Sequence, residues 1–174
     1  MQLGILQNFA NSNQVVETIK EAIAKARANN IPVIYVRLAF RTSFPEINPN
    51  NQFFESFKQM VANIPLDTFT QIHPDLAPKE NEIIIHKKRI SAFTGSDLEV
   101  VLRSLGINHL VLTGVSTSGV VLSTIREAAD KDYTLTVLAD GCADRDEEVH
   151  RVLTTKVFVR QASVVSVSEW NKSH

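Results

Sequence analysis

Leu110-Val111-Leu112-Thr113-Gly114-Val115-Ser116-Thr117-Ser118-Gly119-Val120-Val121 begins as a short apolar run and turns, through glycines and hydroxyl residues, into a helical pattern. That pattern places Val121, Thr124, Ile125, Ala128 and Ala129 on one face. A strand that hands over to a helix in this way is the building unit of an α/β domain. The alternation continues in both directions. Upstream, Val15, Ile19, Ala22, Ile23 and Ala26 recur at helical spacing before Asn29-Asn30 and Pro32. Val33 to Val36 then reads as a strand buried on both faces. Phe40 to Pro49 is a loop, 51–62 a helix, and a second loop runs to about Glu80.

Ile83-Ile84-Ile85 is the next strand, and Ser96-Asp97-Leu98-Glu99 has the spacing of a capping box. It opens a helix whose inner face is Leu98, Val101, Leu102 and Leu105, closed by Gly106. Downstream, Leu135 to Leu138 is a strand. Asp144 to Glu147 caps a helix with Val149, Val152, Leu153 and Val157 inward, and Val164 to Val167 is the last strand. These units predict one three-layer α/β/α Rossmann-like domain over 1–174, with a mainly parallel sheet joined by right-handed crossovers. The chain has 174 residues, enough for one compact core and too few for two ordinary ones.

Bulk properties narrow the function. A net charge of −1, with basic residues clustered only at Lys87-Lys88-Arg89, gives no pull toward nucleic acid or an anionic membrane. No stretch approaches the roughly 18 apolar residues of a membrane span. Cys142 is the sole cysteine, which rules out an intrachain disulfide and points to a reducing, cytoplasmic setting. It reads as a packing residue rather than a reactive thiol. The histidines His73, His86, His109, His150 and His174 lack metal-ligand spacing, and the acidic group around Asp140, Asp144, Asp146, Glu147 and Glu148 reads as capping and helix-dipole compensation. No metal and no cofactor are expected. With only six glycines, the chain also has no phosphate-cradling loop.

In an open parallel sheet, ligands bind beyond the carboxyl ends of the strands, where Lys87 and the 114–121 turn both fall. Lys87-Lys88-Arg89-Ile90-Ser91-Ala92-Phe93 and Gly114 to Val121 together resemble the active-site lysine and nucleophile loops of the isochorismatase-like cysteine hydrolases. The resemblance extends to Val33–Arg37, His73-Pro74, Asp140 with Ala143 and Asp144, and Val149 to Leu153. It is strongest to a branch whose loop reads Thr-Ser-Gly-Val-Val, as residues 117–121 do.

The resemblance implies an aspartate that moves protons, a lysine that polarises the site, and a cysteine that attacks an amide or similar carbonyl. It assigns the lysine to Lys87 and the cysteine position to Val120, and lines the pocket with Phe93, Ser116 and Gly119. It also implies a non-proline cis peptide joining Val115 to Ser116, and an oxyanion pocket of amides around Ser116 and Val120. Met1-Gln2-Leu3-Gly4-Ile5 matches the tail of the family's first strand motif, which places the aspartate just before residue 1. The start of the chain is therefore expected to be internal, with most of the central first strand lying upstream.

The expected function is hydrolysis of a small carbonyl or vinyl ether compound, impaired in thiol chemistry because Val120 has no nucleophilic atom. The alternative is a non-catalytic small-ligand binder or assembly protein on the same fold. A third reading takes Ser116, Asp140 and His150, in α/β-hydrolase order, as a serine triad. The partners expected are a small molecule and further copies of the chain in a homo-oligomer.

Overall fold

The computed structural model describes residues 1–172, with side chains through Trp170. Its strands are β1 (Ile34–Leu38), β2 (Ile83–Lys87), β3 (His109–Val115), β4 (Thr134–Ala143) and β5 (Ser163–Val165). β1 pairs in parallel with β2, from Ile34 opposite Ile83 to Leu38 opposite Lys87. β3, β4 and β5 form a second parallel group in that order, with an irregularity between Leu112 and Gly114. Among the described residues, β1 and β3 are not hydrogen-bonded to each other, so the strands form two half-sheets.

The helices are α1 (Leu3–Leu6), α2 (Ser12–Ala28), α3 (Gln52–Val61), α4 (Leu66–Thr70), α5 (Leu98–Ser104), α6 (Leu122–Asp130), α7 (Glu147–Val152) and α8 (Val167–Lys172). They cover both faces because successive strand residues point to opposite sides. On β4, Val137 packs with Ile125 and Ala128 of α6 and with Leu98 and Leu102 of α5. The next residue, Leu138, packs with Ala22 and Ala26 of α2 and with Val167 and Trp170 of α8. Fully burying an aliphatic side chain of this size stabilises by roughly 1.5–3 kcal/mol, so the alternation along β4 holds the layers together. The expected three-layer α/β/α arrangement with parallel strands is therefore present.

α2 buries Val15, Val16, Ile19, Ala22 and Ala26, the stripe that its spacing predicts. Its last turn is tied to the start of β2 by Arg27, which meets Glu82 at 2.8 Å across a mostly buried contact. Arg27, through its hydrogen bond, outweighs burial and holds the Glu82 carboxyl below the usual carboxylate range.

Four local expectations are corrected. The loop to Glu80 contains α4 and a 3-10 turn at Pro74–Leu76, anchored by the buried Phe69 and Leu76. Elements this short carry too few turns to show periodicity. The capping box does not close: Ser96 Oγ accepts from the Leu98 amide at 3.2 Å, while Glu99 turns away to Lys131 at 2.6 Å. Of the inner face expected after Asp146, Leu153 and Val157 do pack against the core, but Val149 is 36% exposed and the fully buried positions are Thr154 and Phe158. The backbone widens into a π-helical stretch over Leu153–Val157, and the extra residue per turn shifts the phase of the buried stripe. Finally, β5 ends at Val165. Val167 opens α8, where the Asp140 carboxylate accepts from its amide at 2.8 Å.

α1 lies so close to α4 that a Cβ built on Gly4 would stand 2.1 Å from the Phe69 ring. Gly4→Ala is expected to lower stability by roughly 1–3 kcal/mol, the cost of overpacking a filled core. Urea titration of the two proteins checks this, with an unchanged midpoint as the contrary result.

Candidate functional site

Lys87 is the last residue of β2, so the strand itself carries it to the carboxyl end of the half-sheet. Its Nζ donates to the carbonyls of Arg89 and Ile90 at 2.7 and 3.0 Å, where the chain curls over after the strand. Among the described residues no carboxylate lies within ion-pairing distance of it. Burial without a counter-charge disfavours the ammonium and pushes the Lys87 pKa down to about 8.

On the other half-sheet, β3 ends at Val115, and the peptide joining it to Ser116 is cis, as the resemblance implies. The chain then makes a π-helical turn over Thr117–Val121 and enters α6. Gly119 is required by close approach, since a Cβ there would sit 2.5 Å from Ser116 Oγ. Inside the turn, the Gly119 and Val121 amides both donate to the Ser116 carbonyl, at 3.3 and 3.2 Å.

Two side chains brace this turn, one from the connection after β4 and one from α7. Asp144 Oδ2 accepts from the Ser118 amide at 2.6 Å, and Asp144 Oδ1 from the Arg145 amide at 2.9 Å. Burial raises the Asp144 pKa, but these bonds outweigh it and hold the carboxyl below its usual range. His150 Nδ1 shares a 2.9 Å hydrogen bond with Oγ1 of the fully buried Thr117. Burial pushes the His150 pKa down, against a smaller upward pull from Asp144. The sequence points to Asp144 through the resemblance and through capping. Its bond to Ser118 joins residues 26 positions apart and is not legible from local pattern.

Lys87, Ser116, Gly119 and Val120 line one cavity of about 890 Å³, together with Phe53, Phe54 and Phe57 of α3. Two halves of the chain thus bring a depressed lysine and a backbone turn to one cleft. Val120, at the position where the resemblance implies a thiol, presents a hydrocarbon branch there.

Other expectations fare differently. Phe93 does not line the cavity; it is 5% exposed in the core, with its ring 5.8 Å from that of Tyr133. Ala92, one residue earlier, lines the cavity instead. The serine triad is not assembled: His150 bonds Thr117 rather than Ser116, and Asp140 is engaged at the start of α8. Cys142 is 3% exposed and does not line the cavity, and burial pushes its thiol up to about 12. Among the described residues no group of His, Cys, Asp and Glu is arranged to hold a metal, and no helix is long and apolar enough to cross a membrane. His174 lies outside the described residues.

Comparison with known proteins adds a family to this geometry. The isochorismatase domain matches residues 1–169. An uncharacterized isochorismatase family protein of Escherichia coli, YecD, is 32% identical over 178 residues, covering 97% of this chain and 89% of the relative. The ureidoacrylate amidohydrolase RutB of Pseudomonas syringae is also 32% identical, over 92% of this chain. The chain spans 66% of that relative's length. Among solved structures, an isochorismatase family protein from Burkholderia thailandensis superposes with a TM-score of 0.82 at 26% identity, over 93% of this chain and 83% of that one.

Proposed function

The chain belongs to the isochorismatase family, and from that membership we propose that it binds a small amide or vinyl ether compound in the Lys87 cleft and hydrolyses it without a covalent thiol step. The observation that carries the reading is that Val120 occupies the first turn of the strand-to-helix connection and faces the same cavity as Lys87. A substrate carbonyl bound in the cleft would face the Lys87 ammonium. There, fixed positive charge stabilises the oxyanion that develops as water adds and the carbon–nitrogen bond breaks. A ureido compound is the substrate class favoured by the likeness to ureidoacrylate amidohydrolase.

Losing a covalent nucleophile costs on the order of 10⁴ to 10⁶ in rate, so amide turnover by the unmodified chain should be weak. Cys142 cannot substitute, because it is buried away from the cleft with its pKa pushed up to about 12. The hydrocarbon at Val120 favours a second reading, a non-catalytic binder in which the cleft retains a ligand unchanged. We also place the protein in the cytoplasm as a homo-oligomer. The exposed apolar Phe53 and Met60 of α3, with Ile64 beyond its end, supply a surface for self-association.

The reading is tested by incubating the protein with ureido amides and a vinyl ether while following product release and intact mass together. Slow product release with no acyl adduct is the expected result. An adduct on Cys142, or a kinetic burst, would overturn it, whereas saturable binding with no product would establish the binder.

A further inference from the structure

Of the basic run Lys87-Lys88-Arg89, only Lys87 enters the cleft; the two cations after it have other partners. They begin a stretch, 88–97, that forms neither helix nor strand between β2 and α5. The carbonyls that hold the Lys87 ammonium, those of Arg89 and Ile90, belong to this irregular stretch. With no ladder to fix them, their position depends on what the neighbouring side chains grip.

Those side chains reach across to the connection after β1. Lys88 Nζ donates to the Ala39 carbonyl, just past the end of that strand. Arg89 reaches further. Its Nη2 donates to the Glu46 carbonyl at 3.0 Å and its Nη1 to the Lys88 carbonyl at 2.7 Å, while the guanidinium lies over the Phe54 ring, 5.6 Å from the centroid. Ile90 packs into the same apolar cluster as Phe54. Among the described residues no carboxylate lies within ion-pairing distance of Arg89, so its charge is directed at carbonyls and a ring. A guanidinium suits this place, because its planar fork donates in two directions while its face stacks on an aromatic ring.

The far end of this anchor is itself held. The Glu46 carboxylate closes the loop after β1, accepting from Arg41 Nη1 at 2.7 Å and from the Arg41 amide at 3.3 Å. Phe54 is 2% exposed and meets the Phe40 ring at 5.8 Å. Arg89 thus ties an irregular stretch to a braced loop and a core ring. A reactive group keeps its geometry only where the groups behind it are locked in this way.

We propose that Arg89 is a positioning residue for Lys87: by fastening the 88–90 curl to Glu46 and Phe54, its side chain holds in place the carbonyls that seat the Lys87 ammonium in the cleft. The catalytic use of that ammonium rests on the hydrolase reading; its seating does not. Without the guanidinium the curl is released and water reaches the amine, which moves the Lys87 pKa from about 8 back toward 10.5.

Lysines labelled with 13C at Cε report each amine's titration by NMR, and Lys87→Met identifies the Lys87 signal by its absence. The titration runs from about pH 7 to 11. The Met1 amine, pushed down to about 6 by burial and to a smaller degree by Lys87, stays neutral through that range. In Arg89→Gln the Lys87 titration is expected to rise by about one unit, a tenfold gain in proton affinity, and in Arg89→Lys by about half a unit, or threefold. Arg89→Lys separates geometry from charge. It keeps the positive charge, whose removal would by itself raise a neighbouring amine, and loses the fork. A Lys87 titration unchanged or lowered in Arg89→Lys overturns the proposal, whatever Arg89→Gln does. Product release from a ureido amide, followed in the same proteins, keeps the two readings apart: a raised titration with undiminished turnover supports the seating by Arg89 and removes Lys87 from the chemistry.

Discussion

Val120→Cys is expected to convert the protein into a thiol amidohydrolase, with turnover of a ureido or amide substrate rising at least about 10³-fold above the unmodified chain. The estimate is a conservative part of the 10⁴ to 10⁶ that a missing covalent nucleophile costs. The substitution is close to volume-neutral, and the turn that would hold the sulfur is already braced by Asp144 on Ser118 and by His150 on Thr117. Amides at the start of a helix favour thiolate, and a Lys87 ammonium lining the same cavity acts in the same direction. Two measurements check the gain. Iodoacetamide should label the variant stoichiometrically near neutral pH while Cys142, buried at 3% exposure, stays unlabelled. An acyl adduct should appear in the intact mass during turnover. A variant that folds and labels yet shows no adduct and no rate gain would place the ligand elsewhere than the Lys87 cleft.

Lys87→Met is expected to abolish what activity the chain has and to remove a pH-dependent component of its stability. In the folded protein the Lys87 pKa is about 8, against an ordinary value of 10.5. Between those limits the unfolded chain holds a proton on this amine that the folded chain does not. Stability must therefore rise with pH through that window, and below pH 8 the buried ammonium is a full cost. The displacement corresponds to about 3 kcal/mol at most. Denaturant unfolding of both proteins from pH 7 to 10.5, plotted as a difference, should show the unmodified chain gaining on the variant as pH rises. The two carbonyls that Lys87 caps, those of Arg89 and Ile90, lose their donor in the variant, so the offset at high pH reports on those bonds. A flat difference across the window would mean that the amine is solvated.

The candidate site can be traced in the sequence to the extent that motif and position coincide. Lys87 ends a strand that its own apolar run announces, and Ser116, Gly119 and Val120 sit in a turn between an obvious strand and an obvious helix. All four line one cavity. Phe93 was misplaced because an apolar residue in the irregular stretch after β2 has no period to orient it, and the fold packs it against Tyr133. Ser116, Asp140 and His150 stand in a suggestive order along the chain, but order fixes no distances: His150 reaches Thr117 and Asp140 reaches the amide of Val167.

Local pattern determined the alternation of strands and helices because each element must bury an apolar face, and a face has a period that can be read residue by residue. The shift of phase at Leu153–Val157 and the bracing of the 117–121 turn by Asp144 were decided only by tertiary structure. Each depends on contacts between residues far apart in the chain, whose distances are set by how the layers pack. No local propensity encodes those distances, which is why the turn itself could be read in the chain while the side chains that brace it could not.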